Sequence, residues 1–229
     1  MAKNAIIIGA SGGIGAGFMS ALQEEGNFDT VIGLSRANGD FDLADEASII
    51  NAANKCQAAG SPSLIIVATG FLHGSAGRPE TSLSEVSPAW MAENYAVNVI
   101  GPALVAKHFL PLFARDERCV FAALSARVGS ISDNHLGGWH SYRQSKAALN
   151  MLIRNCAIEY GRTHKRLVCV GLHPGTVDTP LSAPFQSNVA PGKLFDAERA
   201  SLQMLDVLDG LRAVDSGKFF AWDGTEIQP

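Results

Sequence analysis

A glycine-rich stretch near the amino end of the chain decides the fold, and it reads Ile6-Ile7-Ile8-Gly9-Ala10-Ser11-Gly12-Gly13-Ile14-Gly15. The isoleucines are typical of a buried strand, and a helical apolar spacing begins after the glycines. Glycine at positions 9, 13 and 15 permits a tight turn and lets backbone N–H groups approach a phosphate without a Cβ in the way. The stretch therefore predicts a strand, a turn and a helix whose N-terminus binds a pyrophosphate. The alternative is a plain glycine-rich turn that binds nothing.

Short apolar runs rich in Ile, Val and Phe recur along the chain, at residues 5–8, 30–34, 64–68, 119–124, 167–172 and 218–222. Continuous rather than alternating hydrophobicity is typical of parallel strands that are covered on both faces. Amphipathic segments separate these runs, among them residues 14–25, which end at Gly26, and the long segment 88–114. The alternation predicts an α/β fold: a single-domain, doubly wound (Rossmann-type) parallel sheet with helices on both faces, spanning residues 1–229. Residues 179–193 contain three prolines and are predicted to form a substrate loop.

Size and composition exclude several functional classes. The chain has 229 residues and a net charge of -4, and it has no basic cluster that would indicate a nucleic-acid or membrane partner. Its cysteines, Cys56, Cys119, Cys156 and Cys169, have no spacing suited to zinc, and free thiols are typical of a reducing compartment. No apolar run approaches the roughly 18 residues that span a bilayer, and the isoleucine stretch is a core strand rather than a signal peptide. We therefore expect a cytoplasmic protein without a bound metal.

A second motif lies in the run Ser141-Tyr142-Arg143-Gln144-Ser145-Lys146-Ala147-Ala148-Leu149-Asn150. A helix brings residues i and i+4 onto one face, so the ammonium of Lys146 can sit beside the phenol of Tyr142 and lower its pKa. Neither this motif nor the glycine turn is specific alone. Together they predict a proton donor held next to a dinucleotide, which is what hydride transfer to or from a carbonyl needs.

The end of the second predicted strand distinguishes the two nicotinamide cofactors. A carboxylate there would accept hydrogen bonds from a ribose 2′-hydroxyl and repel a 2′-phosphate. Here the strand ends in Ser35-Arg36, and the first carboxylate that follows is Asp40. A guanidinium has the planar donors that suit a phosphate, so Ser35 and Arg36 favour NADP over NAD. The alternative for Arg36 is a solvated loop residue.

These motifs resemble the short-chain dehydrogenase/reductase family, and the match runs over essentially the whole chain. Asp42-Leu43 is similar to the family's acidic-aliphatic pair near the adenine, and Asn98-Val99-Ile100-Gly101 to the helix that carries the catalytic asparagine. Ala68-Thr69-Gly70 stands where the family usually has Asn-Ala-Gly after the fourth strand, so Thr69 replaces an asparagine. The segment Pro174-Gly175-Thr176-Val177-Asp178-Thr179 resembles the one after the sixth strand that closes over the nicotinamide. Stretches 125–131 and 219–224 look most like the C-factor and sniffer-type carbonyl reductase branch.

The resemblance implies a role for each of these residues. Tyr142 would be the general acid that protonates the carbonyl oxygen. A free phenol has a pKa of about 10, so bringing it near 7 needs roughly 3 units, or about 4 kcal/mol, of preferential stabilisation of the phenolate. Lys146 and the oxidised nicotinamide are the expected sources; Lys146 would also bind the nicotinamide ribose, and Asn98 would hold a water of the proton relay. The cofactor is expected to contact Gly9, Ser11, Gly12, Gly13, Ile14, Gly15, Ser35, Arg36, Asp42, Leu43, Ala68, Thr69, Gly70, Tyr142, Lys146, Pro174, Gly175, Val177 and Thr179.

The pattern does not fix which serine would hold the substrate oxygen. The family usually has two serines at the end of this strand, the second of them three residues before a glycine, and counting back from Gly129 gives Ala126. Ser125 occupies the first serine's place, but it can serve only if the strand has ended there, because neighbouring strand residues point to opposite faces. Ser130 would need the loop to fold back towards Tyr142. We favour Ser125, with Ser130 and a site without serine as alternatives.

The expected function is that of an NADP-dependent oxidoreductase that reduces a ketone, aldehyde or quinone, with Tyr142 as the acid. The alternative is a nucleotide-binding signalling or regulatory protein of the C-factor type with little turnover. The sequence does not name the small-molecule substrate, whose contacts are expected from residues 130–140 and 179–193. The resemblance also implies a homodimer or homotetramer, with helices predicted at residues 88–114 and 142–164 as candidate interfaces.

Overall fold

A computed structural model describes residues 3–39, 41–75 and 77–229, with the side chain of residue 188 excepted, so Asp40 lies outside the described residues. These residues form eight strands: β1 Asn4–Ile8, β2 Thr30–Leu34, β3 Pro62–Val67, β4 Cys119–Leu124, β5 Leu167–His173, β6 Thr176–Val177, β7 Leu194–Phe195 and β8 Phe219–Ala221. Six of them form one parallel sheet in the order β2-β1-β3-β4-β5-β8, and β6 pairs separately with β7. The doubly wound parallel sheet is confirmed.

The described residues also form six α-helices: α1 Gly13–Glu25, α2 Glu46–Ala58, α3 Pro88–Tyr95, α4 Gly101–Phe109, α5 His140–Tyr160 and α6 Ala197–Gly210. Helices α1 and α6 pack on one face of the sheet, and α2, α4 and α5 pack on the other. Helix α1 ends where predicted, at Gly26, whose φ of 65° lies in the left-handed region that a Cβ disfavours. None of the helices in these ranges is both long and apolar enough to cross a membrane.

Burial on both faces explains why the strands are continuously apolar. All five residues of β1 are buried. Ile6 and Ile8 pack into the core beneath α2, α4 and α5, whereas Ala5 and Ile7 pack into the core beneath α1 and α6. Each fully buried isoleucine stabilises the fold by about 1.5–3 kcal/mol relative to an exposed one. An alternating pattern would have left one of these two cores without its apolar wall.

The strand order places a crevice at the carboxyl edge of the sheet. Strands β2 and β3 lie on opposite sides of β1, and in open α/β sheets ligands bind where the strand order reverses. The glycine turn follows β1, Ser35 follows β2, and Thr69 comes shortly after β3. Ser125 follows β4, and His173 ends β5. The sequence segments that carry the predicted chemistry therefore meet at this edge.

One prediction about the elements is wrong. Residues 88–114 are not one helix, because a π-helical turn, Ala96–Ile100, separates α3 from α4 and a short 3-10 turn, Leu110–Leu112, follows. Such turns insert a residue into the helical hydrogen-bond pattern and often occur at functional sites. The segments at Thr69 and Pro174 follow β3 and β5, the third and fifth strands, in agreement with the apolar runs predicted at 64–68 and 167–172. The loop 179–193 is largely irregular and contains the 3-10 segment Ala183–Asn188.

Candidate active site

The carboxyl ends of the strands surround a cleft of about 520 Å³. The predicted site residues that line it are Ser11, Gly12, Gly13, Ile14, Ala68, Thr69, Gly70, Ser125, Tyr142, Lys146, Pro174, Gly175, Val177 and Thr179. The predicted site residues outside its lining are Gly9, Gly15, Ser35, Arg36, Asp42, Leu43 and Asn98. The structure therefore brings the glycine turn, the Tyr-Lys pair and one of the two candidate serines into a single cleft.

The glycine turn has the backbone geometry that a phosphate site needs. Gly9 has a φ of 89°, and its N–H donates to the carbonyl oxygen of Leu34 at 2.8 Å. A Cβ on Gly15 would collide with the carbonyl oxygen of Gly9, so the turn can pack against α1 only because residue 15 is glycine. Gly12 precedes α1 without a side-chain cap, and the first turn of α1 contains no acidic residue. The N–H groups at this helix start and their partial positive charge therefore remain available to an anion in the cleft.

Tyr142 and Lys146 lie in the first two turns of α5, and their side chains point to the same side. Tyr142 is 7% exposed and Lys146 is 2% exposed. The ammonium Nζ of Lys146 donates to the carbonyl oxygen of Leu124 at 3.0 Å and lies 5.7 Å from the centre of the Tyr142 ring. A Cβ on Gly129 would lie 2.8 Å from the Cβ of Lys146, so the absence of a side chain at Gly129 lets the loop after β4 approach this helix. The lysine is thus held beside the phenol by backbone contacts.

The protein's own groups do not give Tyr142 the lowered pKa expected from the sequence. Burial raises the pKa of the Tyr142 phenol above its ordinary value and lowers the pKa of Lys146 from 10.5 to about 8. Both shifts have one physical cause, which is that a buried charge loses its hydration. With the protein's own groups, the loss of hydration on burial decides the direction of both shifts. A positive charge brought into the cleft would lower the pKa of Tyr142.

Ser125 and Ser130 lie in different surroundings. Strand β4 ends at Leu124, so Ser125 starts the loop and lines the cleft together with Tyr142. The hydroxyl of Ser130 is buried elsewhere: it donates to the carbonyl oxygen of Gln228 at 2.5 Å and accepts from the N–H of Asp133 at 3.1 Å. The condition that the strand must end before Ser125 is met. Ser130 instead packs the loop against the segment that follows β8.

Asn98 does not line the cleft, and its side chain is hydrogen-bonded to Phe71 and Ser145. It lies in the π-helical turn, where its Nδ2 donates to the carbonyl oxygen of Phe71 at 2.8 Å and to the hydroxyl of Ser145 at 3.0 Å. Its Oδ1 accepts from the N–H of Phe71 at 2.9 Å. Both amide protons of Asn98 are therefore used inside the protein. This side chain fixes the loop after β3 to α5. That Asn98 holds a water of the proton relay stays a prediction.

The residues predicted to contact the adenosine part of the cofactor lie in three different environments. Arg36 is exposed and, with Asp42, lines a second cleft of about 470 Å³. The hydroxyl of Ser35 is buried and has no hydrogen-bond partner among residues 3–39, 41–75 and 77–229. The carboxylate of Asp42 accepts from the N–H of Ala44 at 2.9 Å. Leu43 packs under Gly101, where a Cβ would lie 2.9 Å from the Cβ of Leu43; its contact with the adenine stays a prediction.

Aromatic side chains form the wall of the cleft next to Tyr142. The Trp139 ring centre lies 6.1 Å from that of Tyr142 and 5.0 Å from that of Phe185. Phe185 belongs to the loop 179–193, and its ring centre lies 5.7 Å from that of His73. The Nε2 atom of His73 lies 3.1 Å from the carbonyl oxygen of Pro180. Both loops that were expected to contact a substrate therefore reach the cleft, and they contribute large apolar surfaces to it.

His173 was not among the site residues predicted from the sequence. His173 ends β5 and lines the cleft. Burial and the nearby cation of Arg127 lower the pKa of His173 to about 4, so its imidazole is neutral at pH 7. Arg127 also lines the cleft, and it forms an ion pair with Asp133 at 3.2 Å. The signal that could have identified His173 is its place directly before Pro174-Gly175.

Glu80 is a second residue that the sequence did not indicate. Its side chain is 2% exposed, and its carboxylate accepts from the N–H and the hydroxyl of Ser141. Its carbonyl oxygen accepts from the N–H of Trp139 at 2.5 Å. Trp139 precedes α5 with a φ of 50°, in the left-handed region, and offers no side-chain cap. Glu80 therefore caps α5 from another part of the chain and stabilises the strained residue next to Tyr142.

Replacing Glu80 with alanine is expected to lower the free energy of unfolding by about 1–3 kcal/mol, because the polar groups of Ser141 lose their acceptor. Urea denaturation of the variant and the parent protein measures this difference. Glu85→Ala is the matched control, since Glu85 lies in the same segment but is exposed, and its carboxylate accepts from the N–H and the hydroxyl of Thr81. Equal unfolding free energies for Glu80→Ala and Glu85→Ala would contradict the capping role.

Comparison with known proteins agrees with this geometry. A family model described as enoyl-(acyl carrier protein) reductase matches residues 9–204. C-signal from Myxococcus xanthus is 37% identical over 146 residues, which are 64% of this chain and 82% of that protein. An oxidoreductase that reduces carbonyls shares the fold: the NADPH-bound carbonyl reductase from chicken fatty liver has a TM-score of 0.85 at 28% identity, over 99% of this chain and 98% of that one.

A further solved structure extends the likeness of the fold. Carbonyl reductase Sniffer of D. melanogaster has a TM-score of 0.81 over 100% of both chains, and at 20% identity this likeness concerns the fold alone. The family match covers most of the chain. This chain also has the parallel sheet, the glycine turn and the Tyr-Lys pair together. The chain belongs to the short-chain dehydrogenase/reductase family of oxidoreductases.

Proposed function

We propose that this protein is an NADP-dependent reductase of a ketone, aldehyde or quinone. The observation that carries the proposal is that Tyr142, Lys146 and Ser125 line the same cleft as the glycine turn. Reduction of a carbonyl needs a proton donor and a hydrogen bond at the oxygen, next to a source of hydride. This chain brings those protein groups together in one place.

The residues of the chain fit a bound NADPH. The start of α1 offers backbone N–H groups to the pyrophosphate. The buried hydroxyls of Ser35 and Thr69 have no hydrogen-bond partner within the described part of the chain, and a buried polar group without a partner costs free energy. Oxygens of a nucleotide would satisfy both hydroxyls. Bound NADPH would supply the hydride, and the chicken carbonyl reductase that resembles this chain is itself NADPH-bound.

Each residue near the reacting oxygen has a separate task. Tyr142 gives its phenolic proton to the oxygen on which negative charge develops, and Ser125 holds that oxygen by a hydrogen bond. Lys146 places a cation beside the phenol, which favours the phenolate that remains after the proton has left. Asn98 holds the loop after β3 against α5 and so positions Thr69 and Gly70 at the cleft.

Cofactor preference gives a prediction for Arg36. Arg36→Ala is expected to weaken NADPH binding roughly 10- to 100-fold and to leave NADH binding unchanged, because a hydrogen bond to a charged group contributes about 1.5–3 kcal/mol. Titration of both cofactors into both proteins measures the effect. Arg162→Ala is the control, since Arg162 is exposed beyond the carboxyl end of α5. Equal affinities of the parent protein for NADPH and NADH would refute this part of the proposal.

A signalling or regulatory role is the second candidate function. The 37% identity with C-signal favours it. In that case the cleft would bind a nucleotide, but turnover would matter little. NADPH oxidation measured with a panel of aldehydes, ketones and quinones separates the two functions. Steady turnover of at least one carbonyl supports the reductase, whereas tight NADPH binding without turnover of any of them supports the signalling role.

We also propose that the protein is a homodimer or homotetramer. Three large apolar side chains are exposed beside and on the two helices named as candidate interfaces: Ile100, which directly precedes α4, and Met151 and Ile158 on α5. Exposed apolar side chains on neighbouring helices favour association with a second copy of the chain.

A further inference from the structure

Ser125, which lines the cleft, is hydrogen-bonded to Asn150 of α5. The hydroxyl of Ser125 donates to Oδ1 of Asn150, with 2.7 Å between the two oxygens. Asn150 lies on α5 four residues after Lys146 and eight after Tyr142, so the three side chains project from one face of the helix. The Nδ2 atom of Asn150 is buried and has no hydrogen-bond partner among the described residues.

This arrangement conflicts with the task of Ser125. A hydroxyl carries one proton, and here that proton is given to Asn150. A carbonyl oxygen, and the oxyanion that develops from it, can only accept hydrogen bonds. While the proton of the Ser125 hydroxyl points to Asn150, the hydroxyl presents only lone pairs to the cleft. These lone pairs repel the substrate oxygen that Ser125 should hold.

A half-turn of the Asn150 amide removes both difficulties. The amide nitrogen and oxygen exchange places, and the volume of the side chain hardly changes. The nitrogen then lies where Oδ1 is now, 2.7 Å from the Ser125 hydroxyl oxygen, which is within the range of an N–H···O hydrogen bond. The unpartnered donor gains an acceptor, and the serine proton becomes free. An unpaired buried carbonyl oxygen remains, which proteins tolerate better than an unpaired N–H.

We propose that Asn150 is the positioning residue of the serine: in the NADPH complex its amide donates to Ser125, so that the Ser125 hydroxyl donates to the substrate oxygen. The proposal rests on the assignment of Ser125 under the proposed function. Helix α5 would then carry Asn150 in addition to the proton donor Tyr142 and the ammonium of Lys146. Because the pair joins the end of β4 to the middle of α5, it needs the folded chain and cannot be found from spacing.

Neutron diffraction tests the orientation directly and without turnover. Crystals of the protein grown with NADPH and exchanged into deuterium oxide are expected to show two deuterons on the Asn150 atom that faces Ser125. The serine deuteron is expected to point into the cleft. Two deuterons on the opposite amide atom, with the serine deuteron on Asn150, would overturn the proposal.

Kinetics of Asn150→Asp test its consequence. A carboxylate has nearly the same shape as the amide but can only accept hydrogen bonds, so the Ser125 hydroxyl keeps donating to it. The kcat for a carbonyl that the parent reduces is therefore expected to fall on the order of 100-fold. NADPH affinity should stay at the parent value. Activity should recover as the pH is lowered, because a protonated carboxyl group donates again. Asn155→Asp, the same change at an exposed position of α5, is the control and should have the parent kcat at every pH.

Ser125→Ala separates failure of this inference from failure of the assignment on which it rests. If Ser125→Ala loses turnover while Asn150→Asp keeps it, the proposal for Asn150 is wrong and the role of Ser125 stands. If Ser125→Ala keeps the parent turnover, both are wrong. In the double variant Ser125→Ala/Asn150→Asp, turnover is expected to be no lower than in Ser125→Ala alone, because the two residues act as one unit.

Discussion

Replacing Tyr142 with phenylalanine is expected to abolish carbonyl reduction while NADPH still binds. The change removes only the phenolic oxygen, and with it the proton that the substrate oxygen takes up. General acid catalysis of this kind contributes 100- to 10,000-fold in rate, so we expect kcat to fall on the order of 1000-fold. The affinity for NADPH should change little, because the ring stays between Trp139 and the ammonium of Lys146.

Steady-state turnover of a carbonyl and titration of NADPH measure these two quantities on the same samples. Tyr160→Phe is the matched control, since Tyr160 ends α5 far from the cleft and packs against His164. It should keep the parent values of both. Turnover by Tyr142→Phe at the parent rate would show that another group supplies the proton.

Replacing Lys146 with methionine is expected to damage turnover and cofactor binding together and yet to make the fold more stable. The ammonium is 2% exposed, and its burial lowers the Lys146 pKa from 10.5 to about 8. Below pH 8 the lysine is charged in the folded and in the unfolded chain, so the full cost of burying that charge opposes folding. Methionine fills a similar volume without a charge, and the variant should be more stable at pH 7 by on the order of 2 kcal/mol.

The pH dependence gives this prediction a definite sign. Between pH 8 and pH 10.5 the unfolded chain binds more protons than the folded chain, so the stability of the parent rises with pH in this window. The advantage of Lys146→Met should therefore shrink as the pH rises from 8 towards 10.5. Urea denaturation at a series of pH values checks it, with Lys165→Met as an exposed control. A parent protein that is more stable than Lys146→Met at pH 7 would show that the buried charge is not a cost to the fold.

The sheet and the glycine turn could be predicted because local chemistry determines them. Strand β1 is buried on both faces, so its apolar run has a single structural interpretation. The φ of 89° at Gly9 and the collision that a Cβ on Gly15 would cause leave glycine as the residue that fits these places. The same reasoning succeeded for the end of α1 at Gly26. In each case the sequence pattern and the structural need concern neighbouring residues.

Other features depend on contacts between distant segments, and the sequence could not give them. The π-helical turn Ala96–Ile100 has the apolar spacing of an ordinary helix, so nothing local indicates it. Glu80 caps α5 through Ser141, which is 61 residues away in the chain. The raised pKa of Tyr142 follows from its burial, which only the packed cleft provides. The partnership of Ser125 with Asn150 requires β4 to end beside the middle of α5.

Transfer of deuterium from labelled NADPH tests the central claim most directly. NADPH carrying deuterium at the reactive C4 position is incubated with the protein and a carbonyl from the panel, and the alcohol is examined by mass spectrometry and NMR. The account predicts one deuterium atom on the carbon that was the carbonyl carbon, and no labelled alcohol with Tyr142→Phe. NADPH binding to the parent protein without deuterium in the alcohol from any carbonyl would contradict it.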